Sequence, residues 1–302
     1  MHVLLIAGGW SNERAISLKG ASQIHHALED LGHEVTFFDL NLGFQALADI
    51  APKIDFAFIN LHGLPGEDGS VQALLQQLNI PFQGAGPRGS LLALNKALAK
   101  LIFVQNNLPT PVWRLIPPEL TSTLRVDNFP AIFKPNTGGS SLGLEIIKNE
   151  FDLKRITNGP PPKSEMLLEE HIAGREMTCA VLGNEALPPI LIQPKMNAYF
   201  DYKSKYEQNG AEELCPAPVS PQLTECLRKT ALRAHNLLGL KDYSRTDFIV
   251  DEKEKCYILE TNTLPGMTET SLVPRAAAAA GYDFKALIGK LIRLGLNSKK
   301  ET

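Results

Sequence analysis

Charge of one sign never accumulates along this chain. No block of five like charges occurs, and 30 Lys and Arg against 33 Asp and Glu leave a formal net charge of −3. Nucleic acid and anionic membrane surfaces therefore find no electrostatic footprint, and neither is an expected partner. No uninterrupted apolar run reaches the ~20 residues of a membrane span, and the opening MHVLLIAGG lacks the basic end and small-residue cleavage pattern of a signal peptide. The expected location is the cytosol. Cysteine is sparse too: Cys179, Cys215, Cys226 and Cys256 stand far apart with no CxxC and no nearby His. That pattern suggests neither zinc nor a disulfide framework, and buried reduced thiols are expected. What the chain does have is 302 residues, 44% of them hydrophobic, enough for two or three domains with real cores.

The hydrophobic pattern alternates. HVLLIAG reads as a strand ended by glycines, followed by a helical stripe at Ile24, Leu28 and Leu31 before Gly32. EVTFFDL, a helical FQALADI and IDFAFINL repeat the alternation, which predicts a small parallel sheet with crossover helices over residues 1–90. A helix from Ser90 to about Asn106 and a strand at VWRLI open a second, α+β region over 91–175, where FPAIFKP and LGLEIIK flank a Gly/Ser loop as a hairpin. From 176 to 302 come strands TCAVLG and PPILIQP, a helix from Pro221 to Leu238, strands SRTDFIV and KCYILETN, and a closing helical segment, AAAAAGYDFKALIGKLIRLG.

Three stretches carry candidate chemistry. If DEKEK (251–255) is a hairpin turn, Asp247 pairs near Glu260 and Arg245 near Asn262, and side chains two apart share a face. Two facing carboxylates repel by roughly 4 kcal/mol at ~4 Å under an effective dielectric of ~20. A cation is expected between them: either Mg²⁺, suited to an all-oxygen set of Asp, Glu and Asn, or Arg245 itself. KPNTGGSSLG (134–143) is a glycine-rich loop able to close backbone N–H groups around phosphate, with Lys134 as point charge, although plain hairpin loops also contain GGSS. In LHGLPGEDGSVQALL (61–75), His62, Glu67 and Asp68 sit at a strand's C-terminal end, where open α/β sheets place ligands. A structural role for His62 and a helix cap for Asp68 compete there. SNER (11–14) likewise reads as a helix start, with Ser11 capping and Glu13 in the first turn.

Together, GGWSNERAISL, HGLPGEDGSVQ, KPNTGGSSLG, EEHIAGRE, FDYKSKY, CPAP, SRTDF and ETNTLPGMTETSLVP resemble, in order and spacing, the D-alanine:D-alanine ligase family of the ATP-grasp superfamily. The resemblance implies an α/β and α+β, three-domain ATP-grasp architecture with a Rossmann-like N-terminal parallel-sheet domain. It implies ATP and Mg²⁺ as cofactors (two ions, Mn²⁺ as an alternative), two molecules of D-alanine as substrates, a homodimer and a bacterial cytoplasm. The reaction implied moves the γ-phosphate of ATP to one D-alanine carboxylate, after which the amine of a second D-alanine attacks the acyl phosphate.

Residue by residue, Lys96 and Lys134 look like phosphate-binding lysines, and Glu169 and Glu176 resemble the acids that meet adenine and ribose. Asp247, Glu260 and Asn262 look like the metal ligands. Glu13 would take the first ammonium with Ser140 and Tyr206 as supports, His62 would lie near the first carboxylate, and Lys205 near the transferred phosphate. Arg245 and the N–H of Gly266 would stabilise the oxyanion, while Ser271 and the N–H of Leu272 would receive the second carboxylate. Lys205 and Tyr206 favour D-alanine over D-lactate as second substrate. Phe200, Asn95, Lys19 and Trp10 depart from the family's usual residues. A ligase for another D-amino or hydroxy acid, and a silent nucleotide-binding scaffold, are the competing expectations.

Overall fold

A computed structural model describes residues 1–140, 142–194 and 211–298. These residues form three sheets. The first is the predicted parallel sheet, β1 (His2–Ala7), β2 (Glu34–Asp39) and β3 (Phe56–Ile59), ordered β2-β1-β3. Helices α1 (Arg14–Asp30) and α2 (Phe44–Ile50) make its crossovers, and α3 (Ser70–Gln77) follows the loop after β3. The central strand β1 is buried from Val3 to Ala7, as apolar runs in covered parallel sheets are.

The single helix expected from Ser90 to Asn106 is two: α4 (Pro87–Leu94) and α5 (Lys96–Gln105). Asn95 causes the break. Its backbone is extended and its side chain accepts from Leu98 N, so it starts a new helix instead of continuing the old one. The second sheet follows: β4 (Trp113–Ile116), β5 (Ala131–Pro135), β6 (Glu145–Ile147) and, after α6 (Glu150–Thr157), β7 (Met166–Glu170), ordered β4-β7-β5-β6. The Gly/Ser loop joins β5 to β6 as expected.

The third sheet holds β8 (Arg175–Leu182), the two-residue β9 (Glu185–Ala186), β10 (Ile190–Pro194), β11 (Ala211–Leu214), β12 (Tyr243–Val250) and β13 (Cys256–Asn262), with β13 at one edge. Helix α7 (Pro221–Leu237), N-capped by Ser220, covers this sheet: its Leu223, Leu227, Ala231 and Ala234 share a core with Phe248, Val250 and Ile258. The expected closing helix is again two, α8 (Leu272–Ala279) and α9 (Phe284–Ser298). Gly281 at φ +90 ends the first, and Asp283 accepts from Ala286 N to begin the second. Leu287, Ile288, Leu291 and Ile292 of α9 join the core of β1 and β3, so the C-terminal helix closes the N-terminal sheet. Among the described residues, no helix is long and apolar enough to cross a membrane.

Candidate active site

β12 and β13 supply an acidic centre in the register expected from the sequence: Arg245 opposite Asn262, Asp247 opposite Glu260. Beyond Asp247 the register shifts, so that Phe248 faces Ile258 and Leu259 is an extra residue on β13. A bulge of this kind turns a strand's alternation over. Cys256 and Ile258 therefore join the core under α7, whereas Glu260 and Asn262 line a cleft with Glu67, Lys96, Gly138 and Thr261.

Both carboxylates have a protein cation. Arg245 forks onto Asp247, with Nε 2.8 Å from Oδ1 and a terminal nitrogen 2.7 Å from Oδ2. Thr178 of β8 donates to Asp247 Oδ1 at 2.7 Å, and Asn262 Nδ2 donates to Oδ2 at 3.1 Å. Lys96 Nζ lies 3.2 Å from Glu260 Oε2 and donates to the Gly138 carbonyl at 2.6 Å. Asn136 fixes that lysine's helix to the glycine-rich loop, its carbonyl and side-chain oxygens accepting from Lys96 N and Ala97 N at 3.1 and 2.9 Å.

Glu13 lies where the first and second sheets' loops meet. Ser140 donates its hydroxyl to Glu13 Oε1, and does so from a left-handed backbone at φ +55, uncommon for a residue with a side chain. A Cβ added at Gly63, itself at φ +66, would stand 3.3 Å from Glu13 Oε2. A side chain there would make the carboxylate give by a few tenths of an ångström, and the left-handed backbone favours glycine. Ser11 is not itself the N-cap expected from SNER, a position Glu13 holds, and the first turn of α1 contains no acid; Ser11 Oγ accepts from Glu13 N at 3.2 Å and donates to His62 O at 2.6 Å. Ser11 thus ties the entry of α1 to the loop after β3.

His62 Nδ1 donates to Leu264 O, 3.0 Å away, which joins the HGLPGEDG loop to the segment after β13. Burial lowers its pKa against the opposing charge of Glu13, so the imidazole is neutral. Asp68 accepts from Ser70 N at 2.8 Å at the start of α3, while Gly69 rather than Asp68 holds the N-cap position. Glu67 is pushed up to about 8 by burial and then by Glu13 and Glu260.

A second ionic cluster lies under the glycine-rich loop. Lys134 Nζ is 2.8 Å from Glu169 Oε2, and Lys100 Nζ is 3.0 Å from Oε1, set off the ideal hydrogen-bond direction. Lys100 also donates to Thr110 Oγ1 at 2.5 Å, and Thr110 donates to Ile258 O at 2.7 Å. Burial lowers Lys100 to about 8, while the two lysines outweigh burial and hold the Glu169 carboxyl below its usual range. Glu176 stands two residues before Thr178 on β8 and so shares the face that meets Asp247. At the other end, Ser271 N-caps α8 and accepts from Thr268 N at 3.1 Å, Leu272 is that helix's first residue, and a Cβ at Gly266 would lie 3.1 Å from Ser271 Oγ.

The structure thus gathers Glu13 with Ser140, Arg245 with Asp247 and Asn262, Glu260 with Lys96, and Lys134 with Glu169. Lys205, Tyr206 and the departure at Phe200 lie outside the described residues. Sequence reasoning missed Lys100, Thr178 and Asn136. Lys100 follows Lys96 by one helical turn and Thr178 follows Glu176 by one strand period, spacings that place each beside a recognised residue; Asn136 had no such signal. Among the described residues no three His, Cys, Asp or Glu side chains gather as a metal cage.

Residues 114–293 match the family model for the D-ala D-ala ligase C-terminus. The D-alanine–D-alanine ligase of Oleidesulfovibrio alaskensis is 53% identical over 98% of this chain and 97% of its own, and that of Maridesulfovibrio salexigens 51% over 99% and 100%. The chain belongs to the D-alanine–D-alanine ligase family. Crystal structures of the Bacillus anthracis family member superpose with a TM-score of 0.86 at 31% identity, and of its ATP complex with 0.84 at 29%, each covering 100% of this chain and 99% of that one. The three sheets are accordingly the ATP-grasp fold of that family, with the N-terminal parallel sheet and the two further sheets expected of it.

Proposed function

We infer that the protein joins two molecules of D-alanine at the expense of ATP, giving D-alanyl-D-alanine for peptidoglycan precursors in a bacterial cytoplasm. The observation that carries this reading is the array of Arg245, Asp247, Glu260 and Asn262 with Lys96 paired to Glu260, together with Glu13 held by Ser140, in a chain about half identical to named ligases. Nothing in folding requires two facing carboxylates there, since burying charge is costly even when it is paired.

Lys96 and Lys134 hold the phosphates of ATP. Glu176 receives the ribose, while Glu169 acts at the adenine end and, through its ion pairs, keeps Lys134 in place. Glu13, its orientation fixed by Ser140 and with Tyr206 as a further support, accepts the ammonium of the first D-alanine, while His62 serves its carboxylate and Lys205 the transferred phosphate. That carboxylate attacks the γ-phosphorus and ADP leaves. The second amine then attacks the acyl carbon, Arg245 and the N–H of Gly266 stabilise the tetrahedral oxyanion, and phosphate departs. Ser271 and the N–H of Leu272 at the N-terminus of α8 receive the second carboxylate, as helix N-termini suit anions.

The oxygens of Asp247, Glu260 and Asn262 fit Mg²⁺. Asn262 spends its amide N–H on Asp247, which leaves its carbonyl oxygen as the ligand atom. When bound, magnesium screens the phosphate charge and holds the transferring group in line. A homodimer and the three units 1–90, 91–175 and 176–302 belong to the same reading. Phosphate release from ATP with D-alanine alone, and a product of D-alanyl-D-alanine mass, are expected. Release only when D-alanine is paired with D-serine or D-lactate would reject D-alanine as second substrate, and ATP binding without release would reject the ligase.

A further inference from the structure

Outside the cleft, the described residues hold one pair of thiols in contact. Cys226 lies on α7 and Cys256 opens β13, thirty residues away, yet Cys256 Sγ donates to Cys226 Sγ at 3.5 Å. The carriers are independently fixed. β13 is hydrogen-bonded to β12, and α7 is packed over both strands through Leu223, Leu227 and Ala231. The thiols face each other because the fold puts them there.

Two small residues filling a core would explain Cys256, which is 3% exposed. They do not explain Cys226, which is exposed, contrary to the buried thiols expected from the sequence. An exposed sulfur in contact with a buried one is the arrangement of an attacked thiol and its resolving partner. A disulfide needs the sulfurs at about 2.05 Å, roughly 1.5 Å closer than the 3.5 Å found, a shift within reach of side-chain rotation.

We propose that Cys226 and Cys256 are a reversible disulfide site, oxidised by small peroxides that reach Cys226 from solvent. The Cys226 thiolate attacks one oxygen of hydrogen peroxide. The O–O bond breaks, hydroxide leaves, and Cys226 becomes a sulfenic acid. Cys256 gives up its proton and its sulfur attacks that of Cys226; the S–S bond forms, the S–O bond breaks, and the hydroxyl departs with a proton as water. Two thiols and one peroxide yield one disulfide and two waters, with two electrons passing to the peroxide. Burial and the nearby Cys226, Glu254 and Asp251 push Cys256 up to about 12, which makes it a slow resolver and keeps the pair reduced until Cys226 is oxidised. The bond would pin the edge strand β13, which carries Glu260 and Asn262, to α7.

The test uses the full chain, reduced and then exposed to hydrogen peroxide. Thiols titrated after denaturation are expected to fall from four to two, the intact mass to lose two hydrogens, and a digest to give one peptide pair linking 226 to 256. A thiol reductant restores all four. Cys226→Ser, a change at an exposed position, is expected to keep its remaining thiols under the same dose, and Cys256→Ala to carry Cys226 on to sulfinic acid. Sulfinic or sulfonic acid at Cys226 in the unmodified chain, links only to Cys179 or Cys215 or between molecules, or an unchanged thiol count at a dose that oxidises free cysteine would each overturn the proposal.

Discussion

Replacing Lys100 by methionine removes a charge that never meets the cleft, and it should still weaken ATP binding. The side chain is 1% exposed and faces the equally buried Glu169, which also holds Lys134. Methionine keeps most of the volume, so the loss is electrostatic. Removing one partner of a buried ion pair costs about 3–5 kcal/mol when it strands the other charge. Here Glu169 keeps Lys134 at 2.8 Å, which brings the expected loss toward the value of a charged hydrogen bond, about 2–3 kcal/mol. Two further effects follow from the geometry. Thr110 loses the donor at its hydroxyl, loosening its link to Ile258 on β13. Lys134 becomes the only cation on Glu169 and is pulled toward it, away from phosphate. Urea unfolding should therefore show a lower midpoint at unchanged slope, and steady-state kinetics a raised KM for ATP with a smaller change in kcat. Stability within about 0.5 kcal/mol of the parent together with an unchanged KM would refute the idea that this cluster positions Lys134.

Three further outcomes are expected. Ser140→Ala removes the hydroxyl that Glu13 accepts, and kcat/KM for the first D-alanine should fall roughly 10- to 100-fold; a change under twofold would detach Ser140 from that substrate. Gly266→Ala puts a Cβ 3.1 Å from Ser271 Oγ, so the turn must shift by a few tenths of an ångström; kcat should drop while ATP affinity holds, and equal activity would show that the turn does not position the oxyanion donor. His235 is held by burial at about 4 beside Ser244, whereas the unfolded imidazole protonates near 6.5. Between these values the unfolded state binds more protons, so stability falls as pH drops from about 6.5 to 4, by an order of 3 kcal/mol. His235→Gln should flatten that limb of a pH series of unfolding midpoints, and an unchanged limb would exclude His235 as its source.

Particular residues show what the sequence could reveal. The register of Arg245 with Asn262 and of Asp247 with Glu260 followed from a five-residue turn and strand periodicity, because pairing near a turn is local. The bulge at Leu259 was not legible, since two residues facing one is a property of the pair of strands. It nevertheless decides that Cys256 faces the core and Glu260 the cleft. The helix breaks at Asn95 and Gly281 were readable as chemistry, but the apolar pattern runs through both and masked them. Lys100 was hidden for another reason. Lysine on a helix is ordinarily solvated, and only the fold shows that this one is buried against Glu169. Ser11 does bond at the entry to α1, through Glu13 N, but the N-cap position falls two residues later, and its hydroxyl also reaches His62, fifty-one residues away.

The decisive step is the attack of a D-alanine carboxylate on the γ-phosphorus of ATP to form an acyl phosphate, expected beside Lys96 and Glu260. D-Alanine labelled with heavy oxygen in its carboxylate tests this directly. One labelled oxygen should appear in the released phosphate for each dipeptide formed, because the bridging oxygen leaves with phosphorus when the second amine attacks. Phosphate released without label, at a rate matching dipeptide formation, would contradict the account.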